Sequence, residues 1–333
     1  MLSTRPAALE EIIDAAKDHS IVAIDEIQRI PELLNEVHRL IESRRFKFLL
    51  TGSSARKLRK TGVNLLAGRA WRADVFPLTY AEIPKFNLDR FLLYGGLPQV
   101  ILYDTPDEEL TAYVNTYLRE EIQAEALVRK VPVFSQFLQI AAICSGKMLN
   151  FASIANDLGI SASTVREYYH ILEDTLVGFF VPAFTKTIKR KAISTTKFYL
   201  FDLGVKHKLA RIRTLDHQSD LYGQAFEHFI AMELRAYLSY SRINLDLKYW
   251  QAKNGQEVDF IVGNKIAIEV KTTDKPSEKH MKGLKALQSE GICKEYYLVC
   301  NTKIARKYNE ILIINWQDFL IKLWNNNLDL QAL

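Results

Sequence analysis

Asp25 and Glu26 are the first residues in this chain whose type and place could do chemistry. They directly follow the apolar run Ile21-Val22-Ala23-Ile24. A run of that length reads as a buried strand, so the two acids stand at its carboxyl end. An acid there can hold Mg²⁺ on a nucleotide, directly or through water, and its neighbour can orient the attacking water. The plain alternative is that the two acids cap the next helix, where negative charge is favoured. A nucleotide site also needs a phosphate cradle of the form G-x-x-x-x-G-K-[ST]. The sequence contains none: Ser145-Gly146-Lys147-Met148 lacks the hydroxyl and the upstream glycine. A second acidic constellation, Asp259 with Glu269 and Lys271, lies far down the chain, with Glu227 before it.

The elements that must position the first group are a strand, a helix and a strand. Ile21–Ile24 and Phe46–Leu50 read as the strands. Between them, Leu33, Leu34, Val37, Leu40 and Ile41 put an apolar stripe on a helix over Pro31–Ser43, with Pro31 in its first turn. That unit predicts parallel strands with a right-handed crossover. Ligands of such sheets sit beyond the carboxyl ends of the strands. Asp25-Glu26 and Thr51-Gly52-Ser53-Ser54 would therefore face one crevice.

In the middle of the chain, Tyr94-Gly95-Gly96-Leu97-Pro98 reads as a turn between helices. Leu110–Val128 reads as one long helix and Phe134–Ser145 as another. Phe151–Leu158, Gly159 and a helix capped by Ser161 give two short helices around a glycine turn, the pattern of a helix-turn-helix. Leu176–Phe184 and Lys197–Phe201 read as two strands after it, which would complete a winged helix. Thr164 and Arg166 on the second helix, and Lys186, Lys189, Arg190 and Lys191 on the wing, could meet nucleic-acid phosphates. The alternative is a solvated basic loop on a unit that only joins domains.

The second acidic constellation has its own scaffold. Gln224–Tyr240 reads as a helix with Glu227 near its start. Leu247–Trp250, Glu257–Val262 and Lys265–Lys271 read as strands, the last two forming a hairpin around Gly263-Asn264. Glu269 and Lys271 then share a face, and Asp259 joins them if the register allows. A helix over Lys279–Ser289, strands at Tyr296–Cys300 and Ile311–Ile314 and a helix over Trp316–Trp324 would complete the layer.

Two resemblances follow from these strings. Ile24-Asp25-Glu26-Ile27-Gln28-Arg29-Ile30-Pro31, Leu49-Leu50-Thr51-Gly52-Ser53-Ser54, Leu66-Ala67-Gly68-Arg69 and Pro77-Leu78-Thr79-Tyr80-Ala81-Glu82 together resemble a prokaryotic family of AAA-type P-loop ATPases. Its members end in a nuclease-like domain of unknown function, and the resemblance covers nearly the whole chain. It implies Asp25 as the metal-associated acid, Glu26 as the water-orienting base, Ser53 or Ser54 as a sensor of the γ-phosphate and Arg69 as a charge stabiliser. It also implies ATP as ligand, with the family's phosphate loop upstream of Met1. The acid, gap and Glu-x-Lys of Asp259, Glu269 and Lys271 resemble the PD-(D/E)xK nuclease motif. That likeness implies Asp259, Glu269 and Glu227 as ligands of Mg²⁺ or Mn²⁺ and Lys271 as the residue that orients water or neutralises charge. A salt-bridged Asp259–Lys271 pair on a sheet face is the plain alternative.

The expected fold class is α/β and multi-domain. A partial AAA-type parallel sheet would occupy 1–88, a helical lid 89–130, a winged-helix-like domain 131–212 and a restriction-endonuclease-like α/β domain 213–333. The composition, 48% hydrophobic and 25% charged with a net charge of +5, is that of an ordinary globular protein. The mild positive charge permits DNA as a partner without requiring it. Three cysteines without metal spacing predict a reduced, cytoplasmic protein, and no run is long and apolar enough for a membrane span. A homo-oligomer is expected only because AAA relatives often form rings. Three functions follow: an AAA-type ATPase truncated before its phosphate loop, a metal-dependent DNA nuclease, or a non-catalytic module that binds protein or DNA.

Overall fold

The computed structural model describes residues 2, 4–14, 20–43, 46–52, 69–118, 131–187 and 189–330. They form two compact units. The first contains the chain up to Arg72 together with Tyr169–Val177, and the second contains the rest.

In the first unit, α1 (Ala8–Ile13), β1 (Ile21–Ile24), α2 (Leu33–Glu42) and β2 (Lys47–Leu50) follow in order. The strands are parallel, with Ile24 opposite Leu50. The stripe of α2, Leu33, Leu34, Val37 and Leu40, is buried with Leu9 and Ile13 of α1. From the strands only alternate residues, Val22, Ile24, Phe48 and Leu50, join that cluster. Ile21 and Leu49 remain 70% and 57% exposed. The expectation of a strand buried on both faces is therefore corrected. Strand side chains alternate in direction, and this cluster of helices lies against one face.

In the second unit, α3 (Leu88–Tyr94), α4 (Pro98–Leu102) and α5 (Pro106–Ala112) come first. A π-helical turn, Tyr113–Leu118, continues α5. The helix expected over Leu110–Val128 thus runs as α-helix to Ala112 and as a π-helical turn to Leu118, and residues 119–128 fall outside the described residues. Helices α6 (Val131–Ile143), α7 (Phe151–Leu158) and α8 (Ala162–Asp174) follow, the end of α8 belonging to the first unit. Strands β3 (Gly178–Val181) and β4 (Lys197–Leu200) pair antiparallel as a ribbon. Strand β3 is shorter than expected because Leu176 takes a left-handed backbone (φ 62°) and Pro182 follows Val181, and β4 ends one residue early, at Leu200.

After α9 (Leu203–Leu209) and α10 (Asp220–Tyr240) come β5 (Leu247–Gln251), β6 (Glu257–Val262), β7 (Ile266–Val270), α11 (Lys282–Gln288), β8 (Glu295–Cys300), β9 (Arg306–Tyr308), β10 (Ile311–Asn315) and α12 (Trp316–Trp324). The six strands form one sheet in the order β5-β6-β7-β8-β10-β9. The first three are an antiparallel meander, β7, β8 and β10 run parallel, and β9 is an antiparallel edge. Phe226, Phe229, Ile230 and Leu234 of α10 and Phe319 of α12 share a core with Phe260, Ile266 and Ile268. Met281, Leu284 and Leu287 share another with Ile261, Ala267 and Leu298. Buried on both faces, β7 is apolar throughout except at Glu269. Helix α11 approaches β6 so closely that a Cβ on Gly283 would lie 1.6 Å from the Glu257 carbonyl oxygen. Only glycine allows that approach. The fold class is mixed α/β.

Candidate functional site

Asp259 and Glu269 stand one residue beyond the paired Phe260 and Ile268 of β6 and β7. Both carboxylates are buried, at 4% and 6% exposure. Lys271 follows the end of β7, on the same side as Glu269. Its Nζ lies 2.6 Å from Glu269 Oε1 and 3.6 Å from Asp259 Oδ2. The Val270 amide also donates to Asp259 Oδ2, at 2.8 Å. Among the described residues, the buried Glu269 Oε2 has no hydrogen-bond partner.

Burial pushes the Asp259 carboxyl up to about 6, with Glu227 adding to the push and Lys271 opposing it. Burial, and then Asp259 beside it, hold the Glu269 carboxyl well above the usual carboxylate range against the pull of Lys271. Burial would lower the Lys271 ammonium, but Asp259 and Glu269 outweigh it and raise it. The group therefore combines a lysine fixed as a cation with two carboxylates that hold protons readily.

Glu227, near the start of α10, is brought into the same neighbourhood, but in other hands. Lys197 Nζ of β4 lies 3.2 Å from Glu227 Oε1 and 2.8 Å from Glu257 Oε1. The Tyr199 hydroxyl donates to Glu227 Oε1 at 2.6 Å. Burial would raise the Glu227 carboxyl, yet Lys197 and the Tyr199 hydrogen bond lower it below its ordinary value. Lys197, Tyr199 and Glu257 were not visible as site residues in the sequence reading. The signal was present: a lysine opens the apolar strand Lys197-Phe198-Tyr199-Leu200, and positions 197 and 199 share a face.

Among the described residues, no group of three or more His, Cys, Asp or Glu side chains could hold a metal ion. Asp259 and Glu269 supply the one or two carboxylates that a hydrated cation such as Mg²⁺ takes from a protein, with Glu269 Oε2 enclosed and without a hydrogen-bond partner among the described residues. Glu227 fits poorly, because the oxygen that faces Lys197 also accepts from Tyr199. His228 is buried, with Nε2 2.6 Å from the Leu200 carbonyl oxygen. Cys300 is buried in the sheet core.

In the first unit, Asp25 and Glu26 follow the carboxyl end of β1, and Thr51 follows that of β2. The Thr51 hydroxyl donates to Asp25 Oδ1, and the Glu26 amide donates to Thr51 Oγ1 at 3.3 Å. Glu26 takes a left-handed backbone (φ 53°), uncommon for a residue with a side chain. Its Oε2 accepts from Gln28 Nε2 at 2.7 Å and lies 3.6 Å from Arg29 Nε. Asp25 is exposed, in contrast to Asp259. Arg69 Nη2 lies 2.8 Å from Glu42 Oε1, at the end of α2. Ser53 and Ser54 fall outside the described residues.

The residues expected to meet nucleic acid have protein partners in part. The Thr164 amide donates to Ser161 Oγ at 3.1 Å, which caps α8, and its hydroxyl lies 2.8 Å from the same oxygen. Arg166 stacks over Phe151 at 5.0 Å. The Lys189 ammonium donates to the Ser289 carbonyl, and its amide donates to Glu290. Arg190 donates to the Ala286 carbonyl, Ser289 Oγ and Glu290 Oε1 at 2.7–3.1 Å. Half of the expected basic wing thus ties the ribbon's loop to the end of α11. Lys186 and Lys191 are exposed.

With the rim of β1 and β2 in view, the likeness to known proteins can be placed. Residues 2–84 match the AAA domain family. Residues 85–216 match a domain of unknown function, DUF8612, and residues 222–319 another, DUF4143. An uncharacterized protein of Mycobacterium tuberculosis is 26% identical over 267 residues, covering 77% of this chain and 60% of the relative. An uncharacterized protein of Methanocaldococcus jannaschii is 24% identical over 294 residues, covering 79% of this chain and 64% of the relative. The chain thus spans about 60% of the length of these relatives. No solved structure matches it. Among the described residues, no helix is long and apolar enough to cross a membrane.

Proposed function

We propose that this chain is an AAA-type ATPase-family protein associated with DNA, with Asp25 and Glu26 serving Mg²⁺ and nucleotide. The observation that carries this reading is the Thr51–Asp25 hydrogen bond across the carboxyl ends of two parallel strands, within the segment that matches the AAA domain. Asp25 would hold the hydrated metal and Glu26 would orient the attacking water. The α7–α8–ribbon order, which is that of a winged helix, supports the DNA association. The phosphate-binding amides and lysine that such a site requires are not spelled in this sequence, so the chain itself should bind Mg²⁺–ATP no tighter than millimolar. Reading the DNA upstream of Met1 for an in-frame G-x-x-x-x-G-K-[ST] tests the family assignment. In a product carrying that loop, Glu26→Gln should slow ATP hydrolysis about 10²-fold or more. Hydrolysis at the wild-type rate would remove Glu26 from the mechanism.

A second reading concerns the carboxyl-terminal cluster and is favoured by one observation: Lys271 pairs with both buried acids while Glu269 Oε2 has no hydrogen-bond partner among the described residues. That arrangement suits metal-assisted phosphodiester cleavage, with the cation on Asp259 and Glu269 and Lys271 steadying the water. Mn²⁺-dependent nicking of supercoiled plasmid should vanish in Asp259→Ala. Activity that survives this substitution would exclude the mechanism.

A further inference from the structure

Lys197 reaches the carboxyl-terminal cluster from the β3–β4 ribbon, outside the six-stranded sheet. It is 4% exposed. Its ammonium sits between Glu227 Oε1 at 3.2 Å and Glu257 Oε1 at 2.8 Å, and 4.9 Å from the centre of the Tyr249 ring. Tyr199, two residues on, donates to the same Glu227 oxygen at 2.6 Å. The Tyr249 hydroxyl donates to the Thr195 carbonyl, which fixes the ring to the same ribbon. Lys271, at the other end, is far less enclosed: its side chain is 37% exposed, and Glu269 Oε2 has no donor among the described residues.

The two ends of the cluster therefore differ in kind. At the Glu227–Glu257 end a cation is already built in, enclosed by two carboxylates and an aromatic face. An ammonium there is a compact point charge with three donors, and it satisfies the local charge as a metal ion would. At the Asp259–Glu269 end a buried oxygen, Glu269 Oε2, has no hydrogen-bond partner among the described residues. The geometry points to Lys197 as the resident cation that decides how many divalent ions the cluster takes: one, at Asp259 and Glu269, and none at Glu227 and Glu257. Lys197 is thus a specificity-determining residue supplied by the ribbon, and Glu227 is a partner of that lysine rather than a metal ligand. This inference rests on the nuclease-like reading only for the ion at Asp259.

Counting Mn²⁺ on the full chain, by electron paramagnetic resonance and calorimetry, tests it. The wild type should bind one ion, weakened at least tenfold by Asp259→Asn and changed less than twofold by Glu227→Gln. Lys197→Met should gain a second ion, and Glu227→Gln added to it should remove that ion again. Lys197→Gln serves if the methionine variant loses its native circular dichroism. A wild-type ion that depends on Glu227, or a folded Lys197 variant that gains no ion, overturns the inference. If the wild type binds no Mn²⁺ while Lys197→Met gains a Glu227-dependent ion, the nuclease-like reading falls and the role of Lys197 stands. Plasmid nicking without any gain of metal in Lys197→Met is the reverse case.

Discussion

The acids at the end of β1 and those of the β6–β7 hairpin are the same residue types in opposite settings. Asp25 is exposed and hydrogen-bonded to a hydroxyl, with Glu26 held by an amide and an arginine at the surface. Asp259 and Glu269 are buried, and both are paired with Lys271. The difference teaches where each site's chemistry must come from. Water screens an exposed carboxylate and leaves it available to a metal–nucleotide complex that supplies its own charge. A buried carboxylate is costly as an anion, so its surroundings tune it in advance. The carboxyl-terminal cluster carries its tuning within one unit of the chain, whereas under the proposed nucleotide reading the amino-terminal rim would need phosphate contacts that this sequence does not spell.

The largest expected effect breaks the buried side of this comparison. Lys197→Met strands two carboxylates and should cost about 3–5 kcal/mol in urea unfolding. Arg29→Ala, which removes a surface partner of Glu26, should cost less than about 1 kcal/mol. Equal costs would erase the contrast.

Next comes pH. The folded Asp259 carboxyl is raised from 3.8 to about 6, so the folded state binds more protons than the unfolded chain between those values. Stability from this group is therefore full below about pH 4 and falls as pH rises towards 6. The loss is on the order of 3 kcal/mol. Asp202 and Glu233, raised to about 6 and about 7 by burial, act with the same sign. The informative quantity is thus the difference between wild type and Asp259→Asn across pH 4 to 7, and a variant with the wild-type slope would refute the assignment.

Arg190→Ala probes whether the basic loop is a tie. Loss of its bonds to Ala286, Ser289 and Glu290 should lower stability by roughly 1–3 kcal/mol. A DNA affinity that drops with unchanged stability would return this arginine to nucleic-acid binding. The smallest effect is expected for Thr51→Val. It removes the hydroxyl from an exposed Asp25 and should change the unfolding free energy by less than about 1 kcal/mol.

Much of this architecture was legible in the sequence because apolar periodicity reports local structure. The Ile21–Ile24 strand, the α2 stripe, the Glu257–Val270 hairpin and α12 all follow from it. Two kinds of feature were not legible. The exposure of Ile21 and Leu49 depends on what covers a sheet face, and a strand's own alternation does not say which side is covered. The Lys197–Glu227 contact joins residues 30 apart through the docking of a ribbon, and the Arg190–Glu290 tie spans 100 residues. A lysine in a strand and a basic run look the same in sequence whether they face solvent or a buried carboxylate. Asp259, Glu269 and their partner Lys271 were found because Glu-x-Lys fixes its own geometry within one strand, whereas Lys197, the counter-ion of Glu227 and Glu257, came from elsewhere.

The contrast between the two acid sites is tested most directly by soaking crystals of the full chain with Mn²⁺ in the absence of nucleotide and locating the ion by anomalous scattering. The account predicts a peak against Asp259 and Glu269, with none at Asp25. A peak at Asp25 with the Asp259–Glu269 pair left to its lysine and amide partners would contradict it.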